Sequence, residues 1–277
     1  MTPTYSFTFD KVYVIESLPD GEKLTGTELY VDIIQRKIEQ KGIEIYHQLF
    51  TVDKSADFFE TLKFINEDVT ENGFHPIIHF EIHGDEDGLG LKSGDLVKWG
   101  ELTDILRKIN LGSNNNTFLS LATCYGIYIF KAIKPFLTSP FWGTVSSPDG
   151  ILPSKALAGF QSFYETLLED GDLNAAVGSL NKEYDESKTT FFLRNTQYVF
   201  QKAIENLESR NFTDELINIM VEEGLLNFRK NNPIYSELYS DDYIKYLIRT
   251  VHSTPTLKNL MIRVCIDNFT NNGKFSN

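Results

Sequence analysis

The sequence predicts an α/β fold: a three-layer α/β/α sandwich with a mostly parallel sheet, followed by a helical C-terminal region. Two observations lead to this prediction. In the first half of the chain, β-branched and aromatic runs alternate with helix-period apolar stripes, an order typical of a parallel sheet between helices. From about residue 155 onward, helical patterns follow one another with little strand signal. We therefore expect a core domain over residues 1–190 and a helical extension over residues 191–277.

The individual elements follow from apolar periodicity and from turn residues. Strands are short runs rich in Val, Ile, Phe and Tyr, and helices show apolar residues three and four positions apart. The predicted strands are 11–18, 43–50, 76–83, 117–123 and 141–145. The predicted helices are 27–41, 55–71, 102–109, 125–137, 155–170, 173–183, 196–210, 213–223 and 240–250. A short edge strand at 189–193 is a further possibility that the pattern leaves open.

The amino-acid composition limits the kinds of partner that this protein is expected to bind. The 277 residues include 26 Lys plus Arg and 39 Asp plus Glu, a net charge of −13, which argues against nucleic acid as a main partner. No stretch approaches the ~18 apolar residues of a membrane span, and the N-terminus has no signal-peptide pattern. Two cysteines, Cys124 and Cys265, are too few for a disulfide scaffold. We therefore expect a cytoplasmic protein without a membrane partner.

Two predicted strands end in side chains that suit nucleophilic catalysis. The third strand ends at His83 before Gly84, and the fourth ends at Cys124, two residues before Gly126. Ligands of open α/β sheets bind at the carboxyl ends of strands, so adjacent parallel strands would bring both side chains to one edge. A nearby imidazole activates a thiol, and a helix beginning at Tyr125 would add its positive dipole beside the sulfur.

The same residues carry a family resemblance. His79-Phe80 and His83-Gly84 end one apolar strand, Gly88-Leu89-Gly90-Leu91 opens a hairpin before a helix, and Cys124 ends the next apolar strand. This succession resembles the caspase-like (clan CD) cysteine peptidases, and most closely their CHAT branch. Similar features continue through Trp142–Val145, Asp149, Ala156–Phe160 and Phe163–Leu167.

The resemblance implies a function and a mechanism. It implies a cysteine endopeptidase that needs no cofactor, in which Cys124 attacks the scissile carbonyl and His83 protonates the leaving amine. The backbone N–H groups of Gly84 and Cys124 would form the oxyanion hole. The substrate would be a protein, a partner protein or a signal would control the activity, and the context would be prokaryotic defence or cell death.

Substrate preference is predicted where the chain departs from caspases. Ala122-Thr123 stands where caspases have Gln-Ala, so cleavage after Asp is not expected. Ala122, Thr123 and Asp149 are the predicted substrate-binding residues, and Asp85, Glu86 and Asp87 form an acidic run near His83. These carboxylates favour a basic or neutral residue before the scissile bond. The alternative is an apolar pocket in which Asp149 only caps the following helix.

Other interpretations of these residues remain open. Cys124 alone is as consistent with an inert core cysteine, and Cys265 is predicted to be core. A catalytically silent interaction module would keep the fold without the chemistry, and an acyl-transfer enzyme on another α/β fold would use the same Cys and His. A metal is not expected, because histidines along one strand cannot converge as zinc ligands. His79 is expected to be a hydrogen-bonded strand histidine.

Overall fold

The structure is a computed structural model that describes residues 7–134, 137–184, 191–196, 198–201, 218, 221–222, 224–226, 228–229, 239–253, 263 and 266–271. They belong to two compact units. The first contains the described residues of 7–134 and 138–199, and the second contains residue 137 and the described residues from 200 onward. The first unit extends past residue 190, where the sequence analysis placed the boundary, because residues 192–195 pair with its sheet.

The first unit is an α/β fold built on a mostly parallel, mixed sheet. Its strands are β1 (Lys11–Ser17), β2 (Tyr46–Thr51), β3 (Pro76–Gly84), β4 (Gly88–Gly90), β5 (Leu96–Lys98), β6 (Phe118–Leu121), β7 (Gly143–Ser146) and β8 (Phe192–Asn195). The order across the sheet is β2-β1-β3-β6-β7-β8, with β4 and β5 as a hairpin beside β3. Neighbours from β2 to β7 run parallel, and β8 pairs antiparallel with β7. The predicted fold class is confirmed.

Helices cover both faces of this sheet. They are α1 (Thr25–Leu29), a π-helical turn (Tyr30–Gln35), α2 (Arg36–Lys41), α3 (Ser55–Asn72), α4 (Trp99–Gly112), a 3-10 helix (Gly126–Ala132), α5 (Pro153–Asp170) and α6 (Leu173–Lys182). The segment from α1 to α2, with α5 and α6, packs on one face, and α3, α4 and the 3-10 helix pack on the other. Both layers bury apolar side chains against the strands, which is the main stabilising term of such a sandwich.

Several predicted elements differ from the observed ones: the helix predicted over 27–41 is interrupted by the π-helical turn, the helix predicted over 102–109 is Trp99–Gly112, and the strand predicted over 117–123 is Phe118–Leu121. The second strand begins at Tyr46 rather than at residue 43, because Ile45 N–H donates to Ile43 O in a tight turn. The α-helix predicted over 125–137 is a short 3-10 helix instead. Tyr125 adopts a left-handed conformation with φ 57°, and its N–H donates to Asp149 O. The helix that begins after Cys124 is therefore a 3-10 helix of seven residues and not the predicted α-helix.

The second unit contains α7 (Asp241–Ser253), which confirms the helix predicted over 240–250. Phe200 and Phe269 stack within this unit with ring centroids 4.0 Å apart. Most of the helices predicted over 196–210 and 213–223, together with Cys265, lie outside the described residues. Among the helices that the structure describes, none has the length and apolar character needed to cross a bilayer.

Candidate active site

Strands β3 and β6 bring the two predicted catalytic residues to one edge of the sheet. The strands pair in parallel from Ile77–Phe118 to Phe80–Leu121, so their carboxyl ends lie side by side. Beyond the paired residues, the Thr123 hydroxyl donates to Ile82 O at 2.8 Å. A Cβ atom on Gly84 would lie 2.7 Å from Cys124 O, so glycine is required for this close approach.

His83 and Cys124 line the same cavity, which has a volume of about 310 Å³. The cavity lies between the end of the sheet, the loop after β1 and the segment that leads into α5. Its wall is formed by Leu18, Glu22, Lys23, Thr25, Glu81, Ile82, His83, Ala122, Cys124, Ile151 and Ala156. The nucleophile and the base predicted from the sequence are thus joined in one concave site, the usual form of an active site.

The His83 imidazole is held by a carboxylate from the loop after β1. Its Nε2–H donates to Glu22 Oε2 at 2.9 Å, and both side chains are partly open to solvent. A carboxylate on one ring nitrogen fixes the tautomer and the orientation of the imidazole. With Nε2 engaged by Glu22, Nδ1 is the nitrogen available to exchange a proton with the thiol. Sequence analysis assigned no third residue to this group.

The Cys124 sulfur has a hydrogen-bond donor of its own. Ile151 N–H lies 3.2 Å from Sγ, and Ile151 O lies 3.8 Å from it. The sulfur is thus held at the start of the segment that leads into α5. The side chain is half-buried rather than enclosed in the core, so a substrate can reach it.

Two backbone N–H groups, those of Gly84 and Cys124, are predicted from the sequence to form an oxyanion hole. Asp85 N–H donates to Gly88 O, so the next pair of the β3–β4 hairpin, Gly84 with Leu89, is a non-hydrogen-bonded pair. Gly84 therefore turns its N–H away from β4. The Cys124 N–H has no acceptor among the described residues. Of the two groups predicted for the hole, the Cys124 N–H is therefore open to a substrate oxygen.

Behind the catalytic pair lies a buried polar network that was not predicted. Glu81 is 4% exposed and lines the cavity. Its Oε1 accepts from the Thr25 hydroxyl at 2.7 Å, and its Oε2 lies 3.2 Å from His79 Nε2. The other nitrogen of His79 lies 2.9 Å from Ser120 Oγ. His79 is thus a hydrogen-bonded strand histidine, as expected.

Tyr184 lies near both this network and Cys124, and its buried hydroxyl has no hydrogen-bond partner among the described residues. Burial raises the pKa of Tyr184, and the negative charges of Glu81 and Cys124 raise it further. The hydroxyl of Tyr184 is therefore within electrostatic reach of both groups. Glu81 similarly adds to the raised pKa of Tyr164, for which burial is again the main cause and the Ser120 hydroxyl acts in opposition.

The predicted substrate-binding residues separate into two groups. Ala122 lines the cavity. Thr123 and Asp149 are not among the lining residues: Thr123 is buried and bonded to Ile82 O, and Asp149 is exposed, with its backbone supporting Tyr125. Asp85 also has a structural role, because its carboxylate accepts from Asp87 N–H and Gly88 N–H and shapes the hairpin turn.

Two carboxylates of the cavity, those of Glu22 and Glu81, escaped the sequence analysis although signals existed. Glu81 faces the same way as His79 and His83 in a strand that is otherwise apolar, and a polar residue at a core position is informative. Glu22 follows the carboxyl end of β1, the same edge at which ligands bind. The path of the loop that carries it could not be predicted from local patterns.

Neither protein-family models nor curated proteins give a match to this chain.

Proposed function

We propose that this chain is a cysteine endopeptidase of the caspase-like, CHAT-related type. The observation that carries the proposal is that His83 and Cys124, from the ends of neighbouring parallel strands, line one cavity. A nucleophile, a base and an oxyanion site in one concavity are the requirements of acyl transfer.

The proposed reaction begins with the Cys124 thiolate, whose sulfur forms a bond to the scissile carbonyl carbon. The resulting oxyanion accepts hydrogen bonds from Gly84 N–H and Cys124 N–H, each worth about 3–4 kcal/mol in comparable sites. The C–N bond then breaks as protonated His83 gives its proton to the leaving amine. Water hydrolyses the thioester, His83 accepts a proton from that water, and the free thiol is restored.

Glu22 is proposed as a positioning residue in this reaction. Its carboxylate stabilises the imidazolium that forms during catalysis and keeps Nδ1 free for proton exchange. The pair is partly exposed, so the contribution is expected to be smaller than that of a buried triad carboxylate.

The proposal extends to the biological setting that the resemblance implies. It includes a protein substrate, control by a partner protein or signal, a role in prokaryotic defence or cell death, and a reducing cytoplasm in which Cys124 stays a free thiol. No described residue requires a cofactor in this reaction.

Alkylation of Cys124 tests the proposal without knowledge of the substrate. We expect iodoacetamide at neutral pH to modify Cys124 faster in the parent protein than in His83→Asn, because the imidazole promotes thiolate formation. His47→Asn is the matched control, since His47 lies on β2 and contacts the Tyr30 hydroxyl instead. Mass spectrometry of the modified peptide gives the rate.

Cleavage of a mixture of denatured proteins is the second readout. The parent protein is expected to cut peptide bonds that Cys124→Ala leaves intact. If Cys124 reacts equally fast with and without His83, and no bond is cut, the site is not a peptidase and the chain is a silent interaction module.

A further inference from the structure

The carboxylate of Glu81 occupies a special place in the cavity. It lies on β3 two residues before His83 and faces the same side of the sheet, so it lies about 6–7 Å deeper along the strand. Although 4% exposed, it still forms part of the cavity wall. A ligand bound next to His83 and Cys124 would therefore reach Glu81 with an extended side chain of its own.

Glu81 is held rigidly from behind. The Thr25 hydroxyl donates to Oε1, the His79 Nε2–H donates to Oε2, and the other ring nitrogen of His79 lies 2.9 Å from Ser120 Oγ. His79 and Ser120 are fully buried, so this chain of hydrogen bonds is shielded from water. Such support fixes a carboxylate in one orientation, which is what a recognition residue needs.

The negative charge of Glu81 is not compensated by a Lys or Arg among the described residues. Lys23 also lines the cavity, but its ammonium pairs with Glu28 at 2.5 Å. The neighbouring buried carboxylate of Glu16 differs, because it accepts from the N–H groups of Gly26 and Thr27 and from the Thr27 hydroxyl. Buried charges are normally paired, and the only basic partner of Glu81 among the described residues is the His79 imidazole, so a carboxylate without Lys or Arg at a cavity wall marks the position of a cationic ligand group.

The remaining wall suits the apolar part of a long basic side chain. Leu18, Ala122, Ile151 and Ala156 supply apolar surface between the mouth of the cavity and Glu81. The methylene stem of Lys or Arg packs on apolar surface while its charged end seeks a polar partner. Ala122 contributes by being small, because a longer side chain there would fill the same space.

We propose that Glu81 is the specificity-determining residue of this site, and that the chain cleaves after Lys or Arg. This inference rests on the proposed peptidase function. It assigns to Glu81 the preference for basic residues that the sequence analysis assigned to Asp149, whose side chain is exposed.

Peptidyl acyloxymethyl ketones that differ only in the residue next to the reactive group test this proposal. We expect the Arg and Lys compounds to label Cys124 of the full chain about 100-fold faster than the Asp compound. Glu81→Gln should remove most of the advantage of Arg over Leu and change the Leu rate little, and Glu81→Asp should restore part of it. Asp149→Asn is the matched control and should leave the preference unchanged.

A measurement on the parent protein tests the same proposal even if Glu81→Gln fails to fold. Agmatine, a small guanidinium compound, should slow the iodoacetamide reaction of Cys124. Butyramide, an uncharged amide, should not slow it at equal concentration. Absence of protection would contradict a cation site at Glu81.

The outcomes separate this inference from the function on which it rests. Preferred labelling by Leu or Asp compounds, or an Arg preference that survives Glu81→Gln, would overturn the role of Glu81 and leave the peptidase intact. Failure of every ketone, together with alkylation of Cys124 that does not depend on His83, would overturn both.

Discussion

The two faces of the central sheet differ in chemistry although the same strands build them. One face is mainly apolar along the strands and packs against α3 and α4; its members include Tyr13, Ile15, Ile78, Phe80, Ile82, Leu119 and Leu121, with Thr144 and Ser146 of β7 as buried polar members. The opposite face begins apolar, with Val12, Ile77 and Phe118, and turns polar toward the carboxyl end. Its polar members are Glu16, His79, Glu81, His83, Ser120 and Cys124.

This difference shows where the fold accepts the free-energy cost of burying polar groups. An unpaired polar group in the core costs several kcal/mol, so each of Glu16, His79 and Ser120 has a hydrogen-bond partner. Such an arrangement adds little to stability compared with apolar packing. The two buried carboxylates, Glu16 and Glu81, lie with His79 on one face and near one edge, which indicates that this network serves the site.

The largest effect is expected on the polar face, where one substitution should remove the activity and leave the stability almost unchanged. Cys124→Ala should lower peptidase activity by about 10⁴-fold, which corresponds to about 5.5 kcal/mol of transition-state stabilisation, because no other group can form the acyl intermediate. Its free energy of unfolding in urea should stay within about 1 kcal/mol of the parent value, since the side chain is small and half-buried. Cys265→Ala is the control, and equal losses in both variants would contradict the assignment.

A core substitution on the opposite face should have the reverse effect. Phe80 precedes Glu81 in β3, is fully buried and packs near Phe58. Phe80→Ala should lower the free energy of unfolding by about 3–5 kcal/mol through lost burial and a residual cavity. At temperatures where the variant remains folded, the alkylation rate of Cys124 should match that of the parent. An unchanged urea midpoint would mean that this face is not the stabilising one.

A smaller effect is expected where the polar face opens to solvent. Glu22→Ala should lower kcat about tenfold with little change in KM, because His83 loses its orienting partner while substrate contacts remain. Glu22→Gln should lose less, since its amide oxygen still accepts from Nε2–H. Asp20→Asn, an exposed carboxylate in the same loop, is the control. A loss confined to KM would instead make Glu22 a substrate-binding residue.

The smallest effect tests a polar contact at the amino edge of the apolar face. The Tyr13 hydroxyl donates to Asp68 Oδ2 at 2.6 Å. Burial acts to raise the pKa of Asp68, but hydrogen bonds from Tyr13 and Lys11 outweigh it, and the pKa is lowered. The resulting stability is present at neutral pH and is lost as the pH falls through the native pKa of Asp68.

Tyr13→Phe should therefore lower the free energy of unfolding by about 1–2 kcal/mol at pH 7 and by less in acid. Urea unfolding between pH 3 and pH 7 measures the difference. A loss of equal size across this range would show that the hydroxyl acts through packing and not through the carboxylate.

Local signals predicted the elements whose ends are set by their own residues. The helix predicted over 55–71 is Ser55–Asn72, because Gly73 takes the left-handed conformation that ends it. The third strand, predicted over 76–83, is Pro76–Gly84. The helix predicted over 125–137 was wrong because Asp149 and Ser147, distant in sequence, accept the N–H groups of Tyr125 and Ile127. Apolar periodicity carries no information about such partners.

The sequence by itself determined the fold class and the placing of His83 and Cys124 at the ends of adjacent strands, because side chains alternate along a strand and parallel strands end at one edge. Only the tertiary structure decided which carboxylates join them. Glu22 and Glu81 reach the cavity and Asp149 does not, because loop paths and the packing of α1 over the sheet depend on contacts between residues far apart in the chain.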